Sequence, residues 1–481
     1  RFRLSIPLLR RRMPPLSVIR ETRMIRLRLP VSKSIALRAM ALDFVAAMRS
    51  SQPFPPIHEV AGRLGLREDD LAADDIRRFS DALRTLGNAL IADSVCSQRL
   101  RIEIGDGAAP FRFFIAIAAA LPGAKVRVYP SPQLGRRLHT PLISALKTLG
   151  AGIRPVYSES PVSSRPCQAG KKGRILECVD VDGSRLKGGG IEIEGSVSSQ
   201  YASALLIASP LMDKPLDITF AGAAKCASKP YLDMTQRMLE ATESGVDRYS
   251  MIEYDWSAAS YFYEWALLHP GMAVALPTLK PSGESLQGDA AVADIFAGVG
   301  VVTNFFLDST VILKEPDRGE ADSCPEETKE QVVDFTDTPD LVPAVAAAFC
   351  EAGIPFLFTG VGNLVHKESD RLHLICSELS ALGHDIRVIY LPEEEPGKDR
   401  EGAAVPAIKF TPSGRSGKAG EDQNNIETQP KAAIRLNAHS DHRLAMAFAP
   451  LCRKGVELDG KEAVAKSFPS FWEEFRKLNK D

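Results

Sequence analysis

Two adjacent hydroxyl residues, Ser198 and Ser199, stand at a point in the sequence where an anion could bind. The alternating residues 191–194 before them are typical of a strand, and the apolar residues of 201–211 recur at helical spacing. The two serines are therefore expected at a helix start, where free N–H groups and the helix dipole favour an anion. An ordinary helix cap needs only one such side chain. The pair, followed by Gln200, predicts a phosphate site.

Cations and carboxylates recur in other polar segments, most of them ahead of apolar helical runs. The cations are Lys33, Arg38, Lys367, Arg371, Arg443 and Lys466. The carboxylates are Asp340 and Glu368, and further hydrogen-bonding groups are Ser34, Ser228, Tyr231 and Asn363. Arginine can bind phosphate or carboxylate through two donors, whereas lysine acts as a point charge. Each charge alone is typical of a solvated surface. As a set they predict an anion site with two groups able to transfer protons.

A strand, a polar loop and a helix follow one another at several places in the chain. The pattern occurs at 24–48, 100–121, 126–149, 356–382 and 433–451. The order of strand, loop and helix repeats, although the residue identities do not. This recurrence indicates repeated α/β units. If these units converge, their helix starts would face one ligand site.

Length and composition limit the kinds of protein this can be. With 481 residues the chain favours two large domains, and a domain change is predicted near residues 252–256. A formal net charge of −2 argues against a nucleic-acid partner. No apolar run reaches the roughly 20 residues of a membrane helix.

The cysteines and the N-terminus bear on location. The eight cysteines show no paired or zinc-like spacing, which predicts reduced thiols, no metal site and a cytoplasmic protein. The arginine-rich residues 1–28 leave an organelle-targeting segment or an exposed arm as alternatives. Polar segments at 158–172, 315–329 and 393–430 are predicted to be surface insertions, the last one mobile and without a core role.

Taken together, eight short motifs resemble the 5-enolpyruvylshikimate-3-phosphate synthase family. They are Ser32-Lys33-Ser34 with Arg38, residues 195–200, Ser228-Lys229-Pro230-Tyr231, Leu286-Gln287-Gly288-Asp289, Pro339-Asp340, Lys367-Glu368-Ser369-Asp370-Arg371, Asp441-His442-Arg443-Leu444-Ala445-Met446 and Ala465-Lys466-Ser467-Phe468-Pro469. The resemblance implies a two-domain α/β enolpyruvyl-transferase fold. Each domain would contain three repeated α/β units, as an inside-out α/β barrel, with the active site in the cleft between domains. One lobe would hold residues 32–254, and the other residues 1–31 plus 255–481.

The same resemblance implies the reaction and the residues that carry it. The family transfers the enolpyruvyl group of phosphoenolpyruvate to the 5-hydroxyl of shikimate 3-phosphate, without a cofactor, in the shikimate pathway to chorismate and aromatic amino acids. A monomer acting on these two small molecules is expected. The implied shikimate 3-phosphate residues are Lys33, Ser34, Arg38, Ser198, Ser199, Gln200, Ser228, Tyr231, Asp340, Asn363 and Lys367. The implied phosphoenolpyruvate residues are Lys33, Ala108, Gln133, Gln200, Arg371, Arg443 and Lys466. The implied catalytic residues are Lys33, Asp340, Glu368, Arg443 and Lys466.

Departures from the family pattern lie on the phosphoenolpyruvate side. Ala108 stands where the family usually has glycine, and Phe113 replaces a usual proline. Gln133 stands where the family places an arginine that holds phosphoenolpyruvate, and loss of that contact would cost about 1.5–3 kcal/mol of binding. Arg136 or Arg137 could compensate. The departures predict weak phosphoenolpyruvate binding and low sensitivity to glyphosate, which occupies that pocket in the family.

The same motifs allow two other interpretations to be compared with this one: a degenerate homologue and a sister class of transferase. A degenerate homologue that binds shikimate 3-phosphate with little turnover would fit Gln133, Ala108 and Phe113, although it would have no use for the catalytic set. A sister class transfers enolpyruvyl to UDP-N-acetylglucosamine and typically has a reactive cysteine in the loop matching residues 131–137. That loop has no cysteine here, which argues against the sister class.

Overall fold

Helices and strands alternate along the chain in the computed structural model. It describes residues 23–65, 73–92, 99–160, 173–193, 198–221, 227–316, 329–392, 404–412 and 433–479. The strands are β1 Met24–Arg26, β2 Leu100–Gly105, β3 Lys125–Pro130, β4 Gly152–Ser160, β5 Gly173–Asp182, β6 Gly189–Ile193, β7 Leu216–Phe220, β8 Ala273–Leu276, β9 Val301–Phe305, β10 Thr310–Lys314, β11 Gln331–Asp334, β12 Phe356–Thr359, β13 Ile386–Pro392, β14 Ala404–Phe410, β15 Ile434–Asn437 and β16 Val456–Asp459.

The α-helices connect these strands and carry most of the buried apolar residues. They are α1 Lys33–Arg49, α2 Ile57–Leu64, α3 Asp74–Ile91, α4 Ala108–Ala120, α5 Pro132–Gly135, α6 Thr140–Thr148, α7 Gln200–Ala208, α8 Lys229–Glu243, α9 Trp256–Leu268, α10 Val292–Ala297, α11 Val342–Glu351, α12 Arg371–Ala381, α13 His442–Ala447 and α14 Phe471–Leu478. Short 3-10 helices include Ser209–Leu211, Gly288–Ala291, Pro339–Leu341, Gly362–His366 and Lys461–Lys466.

Parallel strand pairs with a helical crossover are the repeated unit of the fold. The described strands form the sheets β2-β3-β5-β4, β6-β7, β1-β8-β10-β9, β11-β12-β14-β13 and β15-β16. The pairs β2/β3, β6/β7, β11/β12 and β15/β16 are parallel, and the helices α4, α7, α11 and α13 join them in that order. The carboxyl end of each first strand therefore leads directly to a helix start. The predicted repetition of strand, loop and helix is confirmed.

Two hydrophobic cores divide the molecule. One contains buried residues from Val31 to Tyr249 with Leu286, and we call the elements around it the first lobe. The other contains Leu27 and Leu29 with residues from Trp256 to Leu478, and we call its elements the second lobe. Strand β1 pairs in parallel with β8 although the first lobe lies between them in sequence. The lobe boundaries at 31/32 and 254/255 stay a prediction, which this division of the cores supports.

Several element predictions need correction in detail. The helix predicted over 201–211 is α-helical only to Ala208 and continues as the 3-10 helix Ser209–Leu211, since Pro210 cannot donate to the helical ladder. Between α1 and β2 the described residues form helices α2 and α3, which the sequence pattern did not indicate.

The prediction that 393–430 has no core role is wrong for β14. This strand pairs with both β12 and β13 inside a four-stranded sheet. Ala407, Ile408 and Phe410 are buried. The polar residues on either side of this short apolar run dominated the composition of the segment. Residues 393–403 and 413–432 lie outside the described residues, as do 161–172 and 317–328 of the other predicted insertions.

The cysteines that the structure describes are free thiols. Cys178, Cys350, Cys376 and Cys452 are unpaired, and the other four cysteines lie outside the described residues. Within the described ranges, no helix has the length and apolar character needed to cross a membrane. The predictions for the arginine-rich residues 1–22 also fall outside the described residues.

Candidate active site

A cavity of about 100 Å³ lies between the two lobes. Most of the site residues predicted from the sequence line it. They are Lys33, Ser34, Arg38, Ala108, Ser198, Ser199, Gln200, Ser228, Tyr231, Asp340, Lys367, Glu368 and Arg443. The fold thus brings together side chains that lie far apart in the sequence. A group of three or more side chains suited to hold a metal ion is not found among the described residues.

The crossover helices place these side chains, because each begins at the cavity. Ser199 is the N-cap residue of α7, and Ala108 is the first residue of α4. Before α4, a Cβ on Gly107 would lie 2.8 Å from Asp75 Oδ1 and 2.7 Å from Pro110 Cγ. A glycine is therefore required for the close approach of this loop. Helix starts gathered at one cleft favour an anionic ligand.

Ser228 is held in a strained conformation at the junction of the lobes. Its φ of 59° lies in the left-handed region, which costs a non-glycine residue on the order of 1 kcal/mol. Its N–H donates across the cleft to the Thr336 carbonyl at 3.0 Å. The neighbouring Lys229 N–H donates to Asp337 Oδ1 at 3.3 Å. The start of α8 is thereby fixed against the second lobe.

Asp340 is surrounded by cations. Its carboxylate accepts from Arg443 Nη2 at 2.8 Å and from Arg371 Nη1 at 2.9 Å, and Lys367 Nζ lies 3.3 Å away. Burial acts to raise the pKa of Asp340, but the charges of Arg443, Lys367 and Arg371 outweigh it and hold the pKa well below its ordinary value. Asp340 is therefore ionised and able to accept a proton.

Glu368 forms a second ionic centre in contact with both lobes. Arg371 Nη2 lies 2.5 Å from Oε2, and Lys466 Nζ lies 3.4 Å from Oε1. Arg137 of the first lobe approaches Oε1 at 3.2 Å. Burial opposes ionisation, but Arg137, Lys466 and Arg371 hold the pKa of Glu368 well below its ordinary value. Lys466 also donates across the cleft to the Asp106 carbonyl at 3.2 Å.

Four predicted residues do not line the cavity. Arg371 is fully buried, with Nε and Nη2 bound to Asp441 Oδ2 and Oδ1 at 2.7 and 3.0 Å. Lys466 does not line the cavity but pairs with Glu368, which does. Gln133 donates its amide to the Glu368 carbonyl at 2.9 Å. Asn363 lies in the 3-10 helix Gly362–His366, and its buried Oδ1 has no hydrogen-bond partner.

Arg38 and Lys33 are held by first-lobe groups. The Arg38 guanidinium donates to Thr235 Oγ1 at 2.6 Å and to the Tyr231 carbonyl at 2.9 Å, and it lies 5.4 Å from the Phe113 ring centroid. Lys33 Nζ donates to Asp75 Oδ2 at 2.9 Å. Protein groups thus accept hydrogen bonds from donors that the family resemblance assigns to substrate.

Asp75, Arg112 and His442 were not singled out as site residues by the sequence reasoning. Asp75 is buried at the start of α3 and lines the cavity, and the Asp74-Asp75 pair at a helix start was an available signal. Arg112 donates to Gln200 Oε1 at 2.6 Å and so orients that amide. Burial, then the charge of Lys33, lowers the pKa of His442 well below its ordinary value, so this ring is neutral.

Tyr231 connects the buried carboxylate of Asp289 with the partly buried one of Asp340. Its hydroxyl lies 3.3 Å from Asp289 Oδ2 and 3.4 Å from Asp340 Oδ2. Asp289 also accepts a hydrogen bond from the Ser257 hydroxyl. Burial, with the charges of Asp289 and Asp340, raises the pKa of Tyr231 well above its ordinary value, so the phenol keeps its proton.

The match to a known family covers almost the whole chain. The family model of EPSP synthase (3-phosphoshikimate 1-carboxyvinyltransferase) matches residues 27–475. The chain belongs to the EPSP synthase family. The family and the enzyme class predicted from the sequence motifs are confirmed.

Curated members of the EPSP synthase family resemble this chain over its length. The 3-phosphoshikimate 1-carboxyvinyltransferase of Bacteroides fragilis (strain YCH46) is 28% identical over an alignment of 472 positions, gaps included, which covers 94% of each chain. That of Syntrophobacter fumaroxidans is 29% identical over an alignment of 504 positions, gaps included, which covers 98% of this chain and 100% of the relative. A solved structure of EPSP synthase from Acinetobacter baumannii covers 95% of this chain and 96% of its own, with a TM-score of 0.55 at 18% identity. The predicted α/β enolpyruvyl-transferase fold is confirmed.

Proposed function

We propose that this protein transfers the enolpyruvyl group of phosphoenolpyruvate to the 5-hydroxyl of shikimate 3-phosphate and releases phosphate. The observation that carries the proposal is a single cavity between the lobes, in which an ionised Asp340 faces serines at helix starts. Membership of the EPSP synthase family supports the same reaction.

Recognition of shikimate 3-phosphate would use the first-lobe helix starts. Ser198, Ser199 and Ser228, together with Lys367, would bind its phosphate, since hydroxyls and helix N-termini suit that anion. Ser34 and Arg38 would bind its carboxylate. Gln200, Tyr231 and Asn363 would position the ring.

The phosphoenolpyruvate site would lie beside Glu368. Its proposed residues are Lys33, Ala108, Gln133, Gln200, Arg371, Arg443 and Lys466. Two substrates with phosphates and carboxylates repel one another, so fixed cations are needed to hold both and to stabilise charge that develops during the reaction. The ion pairs with Asp340, Glu368 and Asp75 would be partly replaced when these anions bind.

Proton transfer follows from the ionisation of Asp340 and Glu368. Asp340 would accept the 5-hydroxyl proton as that oxygen bonds to C2 of phosphoenolpyruvate, while the Lys466 ammonium gives a proton to the methylene carbon. Glu368 would then remove a proton from the new methyl group as the C–O bond to phosphate breaks. The proton on Glu368 returns to Lys466, and that on Asp340 leaves with phosphate. The substrate anions would share the charges of Lys367 and Arg443, which would make Asp340 a stronger base.

Phosphate release tests the proposal directly. Purified protein is incubated with phosphoenolpyruvate alone, with shikimate 3-phosphate alone, and with both. Release only in the presence of both substrates is expected. Absence of release, combined with calorimetric binding of shikimate 3-phosphate, would favour the degenerate homologue that Gln133 and Ala108 suggest.

Ala108 and Gln133 lead to a prediction about inhibition. A methyl group at the start of α4 and a neutral side chain at 133 should weaken both phosphoenolpyruvate and glyphosate, because each needs space and positive charge there. We expect a KM for phosphoenolpyruvate raised about 10- to 100-fold over that of relatives with glycine and arginine at these positions, and little glyphosate inhibition. Titrating both with shikimate 3-phosphate present measures this, and tight binding of both would contradict it.

Oligomeric state and location are part of the proposal. A monomer is the expectation that the family resemblance implies, and the free thiols of the described cysteines favour the cytoplasm. Gel filtration with light scattering would measure the mass of the particle in solution.

A further inference from the structure

The cavity wall contains a cation, Arg137, that the proposed reaction does not use. It follows the short helix α5 in the first lobe and lines the cavity. Its side chain is 10% exposed, and Nη2 lies 3.2 Å from Glu368 Oε1. Within the part of the chain that the structure describes, its buried Nε has no hydrogen-bond partner. A buried guanidinium with an unused donor is costly unless a further anion satisfies it.

Two other arginines near Glu368, Arg371 and Arg443, are bound to carboxylates of their own lobe. Arg371 binds Asp441, which is completely buried, through two nitrogens and Asp340 through the third. Arg443 binds Asp340 within its own lobe. Among the described residues, the ion pair of Arg137 is with Glu368 across the cleft. If the lobes separated, that pair would break and leave the charge of Arg137 facing the space beside Glu368.

Gln133 does not supply this charge. Its amide donates to the Glu368 carbonyl at 2.9 Å and is neutral. Arg137 lies four residues further along the same segment and approaches the same glutamate. An arginine at position 133 could both link the lobes and supply a positive charge. Here Gln133 links the lobes and Arg137 supplies the charge.

We propose that Arg137 binds the anionic end of phosphoenolpyruvate and determines the affinity for that substrate. This inference rests on the proposed function. A guanidinium offers a carboxylate or phosphate two parallel donors, and the free Nε with Nη2 forms such an edge. Phosphoenolpyruvate would take the place that the Glu368 carboxylate occupies on Arg137.

Four variants of the full-length protein test the proposal: R137Q, R136Q, Q133R and the double variant Q133R/R137Q. Arg136 is the matched control, since it is the exposed neighbour of Arg137. The KM for phosphoenolpyruvate is measured at saturating shikimate 3-phosphate, whose own Kd is measured by calorimetry. R137Q should raise that KM about 10- to 100-fold with the Kd for shikimate 3-phosphate unchanged. R136Q should match the wild type, and Q133R should restore much of the affinity that R137Q loses.

The possible outcomes separate the inference from the function on which it rests. An unchanged KM in R137Q, with a shift only in the pH profile of kcat, would overturn it, because Arg137 would then act only on the ionisation of Glu368. Equal weakening of both substrates would overturn it as well. If R137Q does not fold, as judged by circular dichroism, R137K keeps the charge and should show a smaller rise in KM. If the wild type releases no phosphate, the proposed reaction fails, and calorimetry of phosphoenolpyruvate binding to wild type and R137Q still decides the role of Arg137.

Discussion

Asp340 is ionised because three cations, Arg443, Lys367 and Arg371, surround it. The same cations make it a weak base until substrate anions share their charge. We expect D340N to lower kcat about 100- to 10,000-fold, since an amide cannot accept the hydroxyl proton. The Kd for shikimate 3-phosphate should change much less. The measurements are steady-state kinetics and calorimetry. The control is D233N, which removes an exposed carboxylate paired with Lys229 on α8. Near-normal kcat in D340N would assign the base to another residue.

Asp289 gives a pH-dependent contribution to stability. Burial, then the charge of Asp340, raises its pKa to about 6, compared with about 3.9 in an unfolded chain. The folded state therefore binds more protons between these values, and the contribution of Asp289 to the free energy of unfolding falls as pH rises from about 4 through 6. Asn cannot ionise. As pH rises from 4 to 7, the free energy of unfolding of D289N should therefore fall by up to about 3 kcal/mol less than that of the wild type.

Urea unfolding of both proteins at several pH values measures this difference. D233N again serves as the control, since an exposed carboxylate should give a curve parallel to that of the wild type. Parallel curves for D289N would show that Asp289 is ionised in the folded protein throughout this range.

At the level of elements, the crossover units were predictable and the connections between them were not. The serines at α7 and the strand at β12 follow from local periodicity, which needs only neighbouring residues. Asp75 became a site residue only because α3 packs beside α1 and places it 2.9 Å from Lys33. Strand β14 was missed because its role depends on pairing with its neighbour β13 and with the more distant β12, which its own short apolar run does not reveal. Most of the site could be predicted from the family motifs, whereas contacts such as Arg137 with Glu368 required the structure.

Strand β14 should therefore be important for the stability of the second lobe. Ile408 is completely buried between β12 and β13. I408A should lower the free energy of unfolding by about 2–5 kcal/mol through lost burial and a cavity. V405A is the control on the same strand, because Val405 is 38% exposed. Its effect should stay within about 1 kcal/mol. Chemical denaturation measures both, and similar small losses would mean that β14 adds little to the core.

Over the whole molecule, the cleft is closed by contacts that also belong to the site. Glu368 takes part in two of them, through Gln133 and Arg137, and Lys466 makes a third with the Asp106 carbonyl. A cavity of about 100 Å³ is smaller than the roughly 300–1,000 Å³ of typical ligand pockets. The lobes must separate for two substrates to enter. Substrate anions would then replace the carboxylates of the protein as partners of the same cations. The charges that bind the substrates would therefore also hold the two lobes together again.

Removing the charge of Glu368 should shift this equilibrium toward an open form. In E368Q the positive charges of Arg137 and Lys466 remain on opposite sides of the cleft without a carboxylate between them. Like charges repel more strongly in a partly buried site than in water. Small-angle scattering should give the wild type a radius of gyration near the roughly 23 Å of a compact chain of this length, and E368Q a larger one. The control E457Q removes an exposed carboxylate paired with Arg435 within the second lobe and should scatter like the wild type. Identical curves for all three proteins would mean that the neutral contacts of Gln133 and Ser228 are sufficient to keep the lobes together.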